Sequence, residues 1–295
     1  KPHSVDPAPK LPLELVHCGT CGLTQLSLDV DPDYLFADDY PYYSSVSPHL
    51  SAHFQASAEH LIDTLGIGPD ATVIEAASND GCLLRHFAAV GARTIGFDPA
   101  DGPAKVAATY GIDTRVEFFG RGAARDLADD RVKADLFLAN NVLAHVPDLR
   151  GFVAGIATIL KPGGMAVIEV PYFVNLVEGR EFDTIYHEHL RYYTLTSLMR
   201  LFERHGLSID DAEITDFYGG SILAYAEKHA LPVLSDTRVT AITRSGERDG
   251  RGFVAAEADL MAQTRTGKQA LSVDGRAVTA RAAAKVVGDL VAVVG

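Results

Sequence analysis

The sequence predicts an α/β protein built on a parallel, doubly wound sheet. Between residues 71 and 172, short apolar runs typical of buried strands alternate with segments of helical periodicity. Such alternation is the pattern of the crossover units that form parallel sheets. The chain has 295 residues, 47% of them hydrophobic, which favours a large core and more than one domain.

The elements follow in order along the chain. Apolar residues around a Cys-Gly-Thr-Cys-Gly turn indicate two short strands, and a tyrosine-rich loop then leads to a helix that ends at Gly66. Thr196 is a good N-cap for a later helix that ends at Gly206. The remaining elements are predicted as strands at 71–76, 93–99, 114–119, 134–146 (running into a loop) and 165–172, and helices at 81–91, 103–111 and 149–164.

We expect three parts. Residues 1–47 form a zinc-binding-like segment with the aromatic loop, and residues 48–172 form a nucleotide-binding domain. After residue 172 the alternation changes, and residues 173–295 are expected to form a C-terminal α/β substrate domain, whose completeness is left open.

Charge and cysteine usage narrow the class of protein. The formal net charge is −13, and so acidic a surface repels nucleic acid and anionic membranes. Three cysteines, two of them in a C-x-x-C, do not suggest a disulfide framework, so we expect a cytoplasmic protein. No apolar run has the roughly 20 residues that a membrane-spanning helix needs. The remaining partner class is a small molecule, bound by a monomer or dimer.

The run VIEAASNDGCLL indicates a nucleoside site. A strand ends at Glu75, a loop follows, and a helix begins near Gly81, so that backbone N–H groups point towards a ligand. Asp98 ends the next strand, 23 residues after Glu75, where a carboxylate accepts hydrogen bonds from ribose hydroxyls. Ala76 and Ala77 stand where a dinucleotide site has glycines, which favours S-adenosylmethionine (SAM) over NAD. The predicted cofactor-binding residues are Glu75, Ala77, Asn79, Gly81, Asp98, Asn140 and Asn141.

The C-x-x-C turn supplies half of a structural zinc site. Cys18 and Cys21 would be two of four tetrahedral ligands, with the others expected upstream of the supplied chain. The alternative is a tight turn that carries two free thiols. Cys82 lies in a different element and is expected to be packed as a small hydrophobic residue.

Several motifs occur in a defined order: C-x-x-C-G, DDYPYYSS, EAASNDGCLL, NNVLAHVP, IYHEHLRYYT and FYGGSILAYA. Together they resemble the zinc-containing SAM-dependent sugar C-methyltransferases, which act on nucleotide-linked keto-deoxysugars in antibiotic pathways. The resemblance implies a class I methyltransferase fold, a zinc-binding N-terminal piece and a C-terminal domain that helps to hold the nucleotide sugar. This chain departs from the family at Ala77, where a glycine is usual, and in the altered segment DGRAVTARAAAKVV.

The resemblance also implies an active site formed by Tyr42, His145, Tyr186, Glu188 and His189. A carbon beside a ketone must lose a proton before it accepts a methyl group, and histidine has a pKa suited to removing it. We therefore predict His189 as the general base, with Glu188 orienting its imidazole or binding a sugar hydroxyl. The enolate oxygen needs a hydrogen-bond donor, for which Tyr186, Tyr42 and His145 are candidates.

Other interpretations remain open at the level of sequence. His187 and His189 could share a metal ion, or the His-Glu-His run could be a polar lid without a role in proton transfer. The protein could be a SAM-dependent O- or N-methyltransferase acting on another small molecule. It could also be a non-catalytic module that binds zinc and a nucleotide.

Overall fold

The computed structural model describes residues 10–31, 35 and 42–229, together with the backbone of three short segments, 240–242, 271–273 and 276–278. The strands are β1 Leu15–His17, β2 Thr24–Leu26, β3 Thr72–Ala76, β4 Arg93–Phe97, β5 Asp113–Arg115, β6 Ala134–Asn140, β7 Leu160–Pro171, β8 Arg191–Tyr192, β9 Ser208–Thr215, β10 Ser221–Glu227, β11 Thr240–Ile242, β12 Leu271–Val273 and β13 Arg276–Val278. The helices are α1 Pro48–Leu65, α2 Leu84–Ala89, α3 Asp101–Ala108, α4 Arg121–Asp129, α5 Leu149–Ile159, α6 Phe173–Gly179 and α7 Leu195–Glu203.

The main sheet has the order β11-β9-β10-β7-β6-β3-β4-β5. Strands β3 to β7 are parallel to their neighbours within this group, whereas β10 is antiparallel to both β7 and β9. The predicted α/β fold class is confirmed, with one antiparallel strand added to the parallel sheet. The strand order reverses beside β3, and ligands of such sheets bind at the carboxyl ends of the strands near that point.

Side chains that alternate along each strand build two core layers. On β3, Ile74 faces the layer that includes α4, α5 and α7, and Val73 faces the layer that includes α1 and α2. Phe137 and Leu136 divide in the same way on β6, and all four side chains are fully buried. Because burying each such side chain contributes about 1.5–3 kcal/mol, the two layers fix the register of the strands.

A small sheet, β1-β2-β8, joins the N-terminal piece to the rest of the chain. Residues Thr24 and Gln25 pair with Tyr192 and Arg191. The buried Arg191 guanidinium also forms a 2.9 Å ion pair with Asp29. The N-terminal piece is therefore packed against the segment that follows the predicted His-Glu-His run.

Several boundaries differ from those expected. The helix predicted over 149–164 ends at Ile159, and β7 already begins at Leu160, where Leu160 pairs with Ala134. The last helix is capped by Thr194 instead of Thr196, because Thr194 and Ser197 form a reciprocal capping box.

The predicted division after residue 172 cuts through the main sheet, since β9 and β10 lie beside β7. A separate substrate domain stays a prediction, and most of residues 230–295 lies outside the described residues. Among the described helices, none combines the length and apolar character that crossing a membrane requires.

Candidate active site

A cavity of about 930 Å³ opens at the carboxyl edge of the main sheet. Its walls come from the loops that follow β3, β4, β6 and β7, and from three further segments, 42–44, 181–189 and 218–220. A volume of this order suits a nucleoside-sized ligand together with a second small molecule. Most of the predicted site residues meet here, although they are far apart in the sequence.

The loop after β3 and the end of β4 form one wall. Asp98 is buried, lines the cavity and accepts hydrogen bonds from the backbone N–H groups of Asn79 and Ala100, each at 2.9 Å. Burial raises the pKa of Asp98, and these two N–H donors counteract the shift. Ala77 and Asn79 have φ values of 53° and 49°, so the loop turns sharply without a glycine at either position. The wall therefore offers a fixed carboxylate, as predicted for ribose recognition.

Glu75 and Gly81 do not line the cavity. Glu75 is buried beside Asn140: burial raises its pKa well above the ordinary range, while a hydrogen bond from the Asn140 side chain lowers it. Gly81 has a φ of 74°, and a Cβ there would approach Ile112 Cδ1 to 2.4 Å. Gly81 is thus required by the turn and its packing, and a direct cofactor contact for either residue stays a prediction.

The loop after β6 supplies amide groups. Asn140 and Asn141 line the cavity, and Asn141 is held by a 2.8 Å bond from its N–H to the Glu169 carbonyl. Within the described residues, Asn141 Oδ1 is buried without a hydrogen-bond partner. Buried polar atoms are normally paired, so this wall fits a polar ligand. Together with Asp98, the amides suit a nucleoside that carries an amino-acid end.

The side chain of Asn79 has a different task from the one predicted. Its Oδ1 accepts from the Ser44 N–H at 2.8 Å, and its Nδ2 donates to the Tyr42 carbonyl at 3.0 Å. The neighbouring Asp80 accepts from the Ser45 N–H at 3.1 Å. The Asn79 side-chain amide therefore holds the aromatic loop against the loop after β3. Because the Asn79 N–H donates to Asp98, its backbone carbonyl is the group left for the predicted cofactor contact.

His189 and Tyr186 lie together on another wall. The Tyr186 hydroxyl is 3.0 Å from His189 Nε2, and His189 Nδ1 is 2.7 Å from the Thr184 carbonyl oxygen. A carbonyl oxygen only accepts, so Nδ1 carries the proton and donates it, and Nε2 accepts from Tyr186. Burial lowers the pKa of His189, which keeps the imidazole neutral at neutral pH.

His145 packs beside His189, with ring centroids 5.0 Å apart. Its Nδ1 donates to the Glu188 carbonyl at 2.8 Å, so its Nε2 is an acceptor. Burial, together with the neighbouring His189, lowers the pKa of His145 to about 4. A neutral imidazole in this tautomer has no N–H left for an enolate oxygen, which removes His145 from the predicted set of donors.

Glu188 and Tyr42 line the cavity as predicted. The imidazole of His189 is oriented by the Thr184 carbonyl and not by the Glu188 carboxylate, so only the sugar-hydroxyl role predicted for Glu188 stays open. His187 lies outside the cavity lining, and its Nε2 is 3.1 Å from the Pro12 carbonyl. This placement argues against a metal ion shared by His187 and His189.

Thr184 and Tyr218 are two of the cavity residues that the sequence did not identify. Thr184 acts through its backbone carbonyl, which leaves no signal in the residue type. Tyr218 belongs to the FYGGS motif, from which no site residue was chosen, yet its side chain lines the cavity. An aromatic residue directly before two glycines was the available signal.

The Cys18–Cys21 turn lies between β1 and β2. Cys18 is exposed, and hydrogen bonds from the backbone of Cys21 and Thr20 lower the pKa of its thiol. Burial raises the pKa of the Cys21 thiol. Backbone N–H groups directed at a sulfur stabilise a thiolate, which fits a metal ligand, but these two residues offer only half of a tetrahedral set.

Residues 51–212, more than half of the chain, match the family described as methyltransferase domain. The chain belongs to this family. The chain is 35% identical over 215 residues to the C-methyltransferase NovU of Streptomyces niveus, covering 73% of this chain and 51% of NovU. It is 27% identical over 127 residues to a ubiquinone biosynthesis O-methyltransferase of Rhodopseudomonas palustris (strain BisA53), covering 42% of this chain and 50% of that protein. The chain thus spans about half the length of these relatives.

Among solved structures, the Burkholderia thailandensis 1,6-didemethyltoxoflavin-N1-methyltransferase, with bound 1,6-didemethyltoxoflavin and S-adenosylhomocysteine, has a similar fold. The TM-score is 0.50 at 19% identity, covering 73% of this chain and 99% of that chain. The predicted class I methyltransferase fold and SAM-dependent domain are confirmed. The zinc site, the substrate and the roles of individual residues stay predictions.

Proposed function

We propose that this chain catalyses SAM-dependent methylation of the carbon beside the ketone of a nucleotide-linked keto-deoxysugar, as in antibiotic biosynthesis. The observation that carries the proposal is the Tyr186–His189 pair, which faces a cavity whose other wall holds Asp98. The name of the relative NovU, a C-methyltransferase, supports transfer to carbon.

The cofactor wall suits SAM. Asp98 would accept hydrogen bonds from the ribose hydroxyls, and the amides of Asn140 and Asn141 would pair with the amino-acid end. When bound, SAM supplies a methyl group on a positively charged sulfur, and its transfer to carbon leaves a neutral thioether.

His189 is the proposed base. The Thr184 carbonyl fixes the proton on Nδ1, so the lone pair of Nε2 is directed to the Tyr186 hydroxyl. If Tyr186 donates instead to the ketone oxygen of a bound substrate, Nε2 becomes available for the proton on the neighbouring carbon. The lowered pKa of His189 keeps this lone pair unprotonated at neutral pH.

The enolate oxygen that forms would be stabilised by the phenol groups. Tyr186 and Tyr42 both line the cavity and carry O–H donors, whereas His145 offers only an acceptor. Donors that are already oriented stabilise a developing negative charge without reorganisation, which is worth several kcal/mol per donor at most. Glu188 is proposed to accept a hydrogen bond from a sugar hydroxyl.

Zinc is proposed as a structural component at Cys18 and Cys21. A four-coordinate site of thiolates leaves no open position for substrate, so the metal would stabilise the hairpin of β1 and β2 and take no part in catalysis. Metal analysis of the purified protein tests this: replacement of both cysteines by serine should remove bound zinc, and unchanged zinc content would contradict it.

A direct test of the function uses a panel of keto-deoxysugar nucleotides, incubated with SAM and the protein, and mass spectrometry for the gain of one methyl group. Transfer of deuterium from D₂O to the carbon beside the ketone, without SAM turnover, distinguishes C-methylation from O- or N-methylation. His189→Asn should lose both reactions, and the matched variant His187→Asn should retain both. Methylation at oxygen or nitrogen, or full activity of His189→Asn, would overturn the proposal.

A further inference from the structure

Arg191 is a buried charged residue to which neither the sequence nor the proposed mechanism assigns a role. It lies in β8, two residues after the proposed base His189, and only 8% of it is exposed. Its Nη2 donates to the Asp29 carboxylate at 2.9 Å and to the Pro147 carbonyl at 3.2 Å. An arginine is seldom buried unless its charge is paired in this way.

Stability alone does not explain this side chain. Taking a guanidinium out of water is costly, and a buried ion pair often contributes no net stability. Within the described part of the chain, Arg191 Nη1 is buried without a hydrogen-bond partner, and an unpaired buried donor adds to that cost. The side chain is better explained by the two segments that it holds together.

The first of these segments is the N-terminal piece, residues 10–31. Asp29 belongs to it, and its strand β2 pairs with β8, in which Arg191 lies. The Leu26 N–H also donates to the Leu190 carbonyl at 2.9 Å. None of residues 10–31 lines the cavity, so this piece can affect the site only through such contacts.

The second segment is the loop after β6, which binds the chain around the proposed base from the other side. The Leu190 N–H donates to the Ala144 carbonyl at 2.7 Å, and His145 Nδ1 donates to the Glu188 carbonyl at 2.8 Å. The guanidinium binds this loop too, through the Pro147 carbonyl. One side chain therefore joins the two segments between which the base is held.

His189 stands between the residues that these bonds fix. Both backbone polar groups of Leu190 and the carbonyl of Glu188 are bound on either side of it. Its imidazole packs on the ring of His145, with centroids 5.0 Å apart. Misplacing a catalytic group by about 1 Å can slow a reaction about a hundredfold, so the placement of this backbone matters for proton removal.

We propose that Arg191 is a positioning residue, whose guanidinium fixes the N-terminal piece to the loop after β6 and thereby holds His189 against the proton that it removes. The inference rests on the proposed function and deepens it. The N-terminal piece then contributes to the reaction without touching the substrate.

The first test measures deuterium exchange and methyl transfer. Arg191→Gln should lower both rates about tenfold, while KM for the sugar nucleotide and Kd for SAM change by less than about twofold, because no ligand contact is lost. Arg200→Gln is the matched control and should keep both rates, since Arg200 Nη1 also donates to the N-terminal piece, at the Thr20 carbonyl (3.3 Å), but from α7. Unchanged rates in Arg191→Gln, or an equal loss in Arg200→Gln, would overturn the proposal.

A milder change carries the test if Arg191→Gln does not fold. The Asp29 side chain is 41% exposed, and Asp29→Ala leaves the arginine in place, so the rates should fall by about threefold. Asp29→Asn keeps an acceptor for the guanidinium and should restore them. In an Arg191→Gln background, Asp29→Ala should lower the rates no further. Equal losses in Asp29→Asn and Asp29→Ala, or a full further loss in that background, would overturn the proposal.

A second readout needs no substrate. In protein labelled with ¹³C-histidine, the His189 ring should titrate at a higher pH in Asp29→Ala, because burial lowers its pKa and a loosened segment admits water. Removing a carboxylate would by itself lower the pKa of a histidine, so a rise reports lost burial and not lost charge. An unchanged or lowered His189 titration would overturn the coupling.

The two failures can be told apart. If the unaltered protein methylates none of the sugar nucleotides, the proposed function fails, and the His189 titration still tests the coupling on its own. If the unaltered protein is active and Arg191→Gln keeps both rates, only the role of Arg191 fails.

Discussion

His145 should make the stability of the protein fall as the pH falls. Its ring is largely buried and neutral, and its pKa is lowered to about 4, against 6.5 for a free histidine. Between these values the unfolded chain binds a proton that the folded protein does not, so the contribution is fully present above about pH 6.5 and is lost as the pH falls towards 4. Integrating this linkage from about pH 7.5 to about pH 5 gives roughly 2 kcal/mol.

The perturbation is His145→Gln, since a glutamine amide can still donate to the Glu188 carbonyl without titrating. The free energy of unfolding would be measured by urea denaturation at both pH values, with His60→Gln on the exposed face of α1 as control. We expect the unaltered protein and the control to lose about 2 kcal/mol more than His145→Gln on acidification.

The comparison between variants is needed because other buried groups titrate too. Burial raises the pKa of Glu75, which works in the opposite direction: its contribution is present at low pH and is lost as the pH rises through its raised pKa. Glu75 is common to all three proteins, so its effect cancels in the difference. Equal pH dependence in His145→Gln and the unaltered protein would refute the buried, neutral imidazole.

Three other predictions concern Asp98 in the predicted cofactor site, Gly220 in the turn before β10, and His189 as the proposed base. Asp98→Ala should weaken SAM binding at least about tenfold by calorimetry, because a charged acceptor for hydroxyls is lost. Gly220→Ala should destabilise the fold by about 2–3 kcal/mol in urea denaturation, because the new Cβ meets Asn175 at 2.0 Å at a φ of 123°. The acid limb of kcat/KM should lie below the usual pKa of a histidine, because burial lowers the pKa of His189 and activity is lost only as the pH falls through that lowered value.

Each of these has a matched control or a contradicting outcome. Asp101→Ala, at an exposed carboxylate on α3, should leave SAM affinity unchanged. Gly111→Ala, at a φ of 76° with no atom within 4 Å of the added Cβ, should cost less than Gly220→Ala because it introduces only backbone strain. An acid limb above the ordinary histidine value would contradict His189 as the base in its observed surroundings.

The parts of the site that follow strand ends could be predicted from the sequence. Asp98 lines the cavity, as its spacing from Glu75 in the sequence predicted, because parallel strands joined by short crossovers end at one edge of the sheet. Asn140 and Asn141 follow from the same rule. A local pattern of apolar runs and turns is enough to fix these positions, since each is set by the element that precedes it.

Features that depend on contacts between distant residues could not be predicted. The tautomer of His145 is set by the carbonyl of Glu188, 43 residues away, and the Asn79 amide is bound to Tyr42, 37 residues away. The sequence also does not distinguish Thr194 from Thr196 as the N-cap of the last helix. Thr194 is the observed N-cap because the side chain of Ser197 completes a capping box with it. Residue type alone carries no information about such partners.

The position of β10 explains why the proposed catalytic groups gather from outside the parallel sheet. Because β10 pairs antiparallel with β7, the turn Phe217–Gly219 before it lies at the same edge as the carboxyl end of β7. The loop after β3 also lies at that edge, so Tyr218 lines the same cavity as Tyr42 while Gly219 packs against Glu181, in the segment leading to His189. Residues 208–227, which the predicted division assigned to a separate domain, are therefore part of the framework that would align base, donor and cofactor.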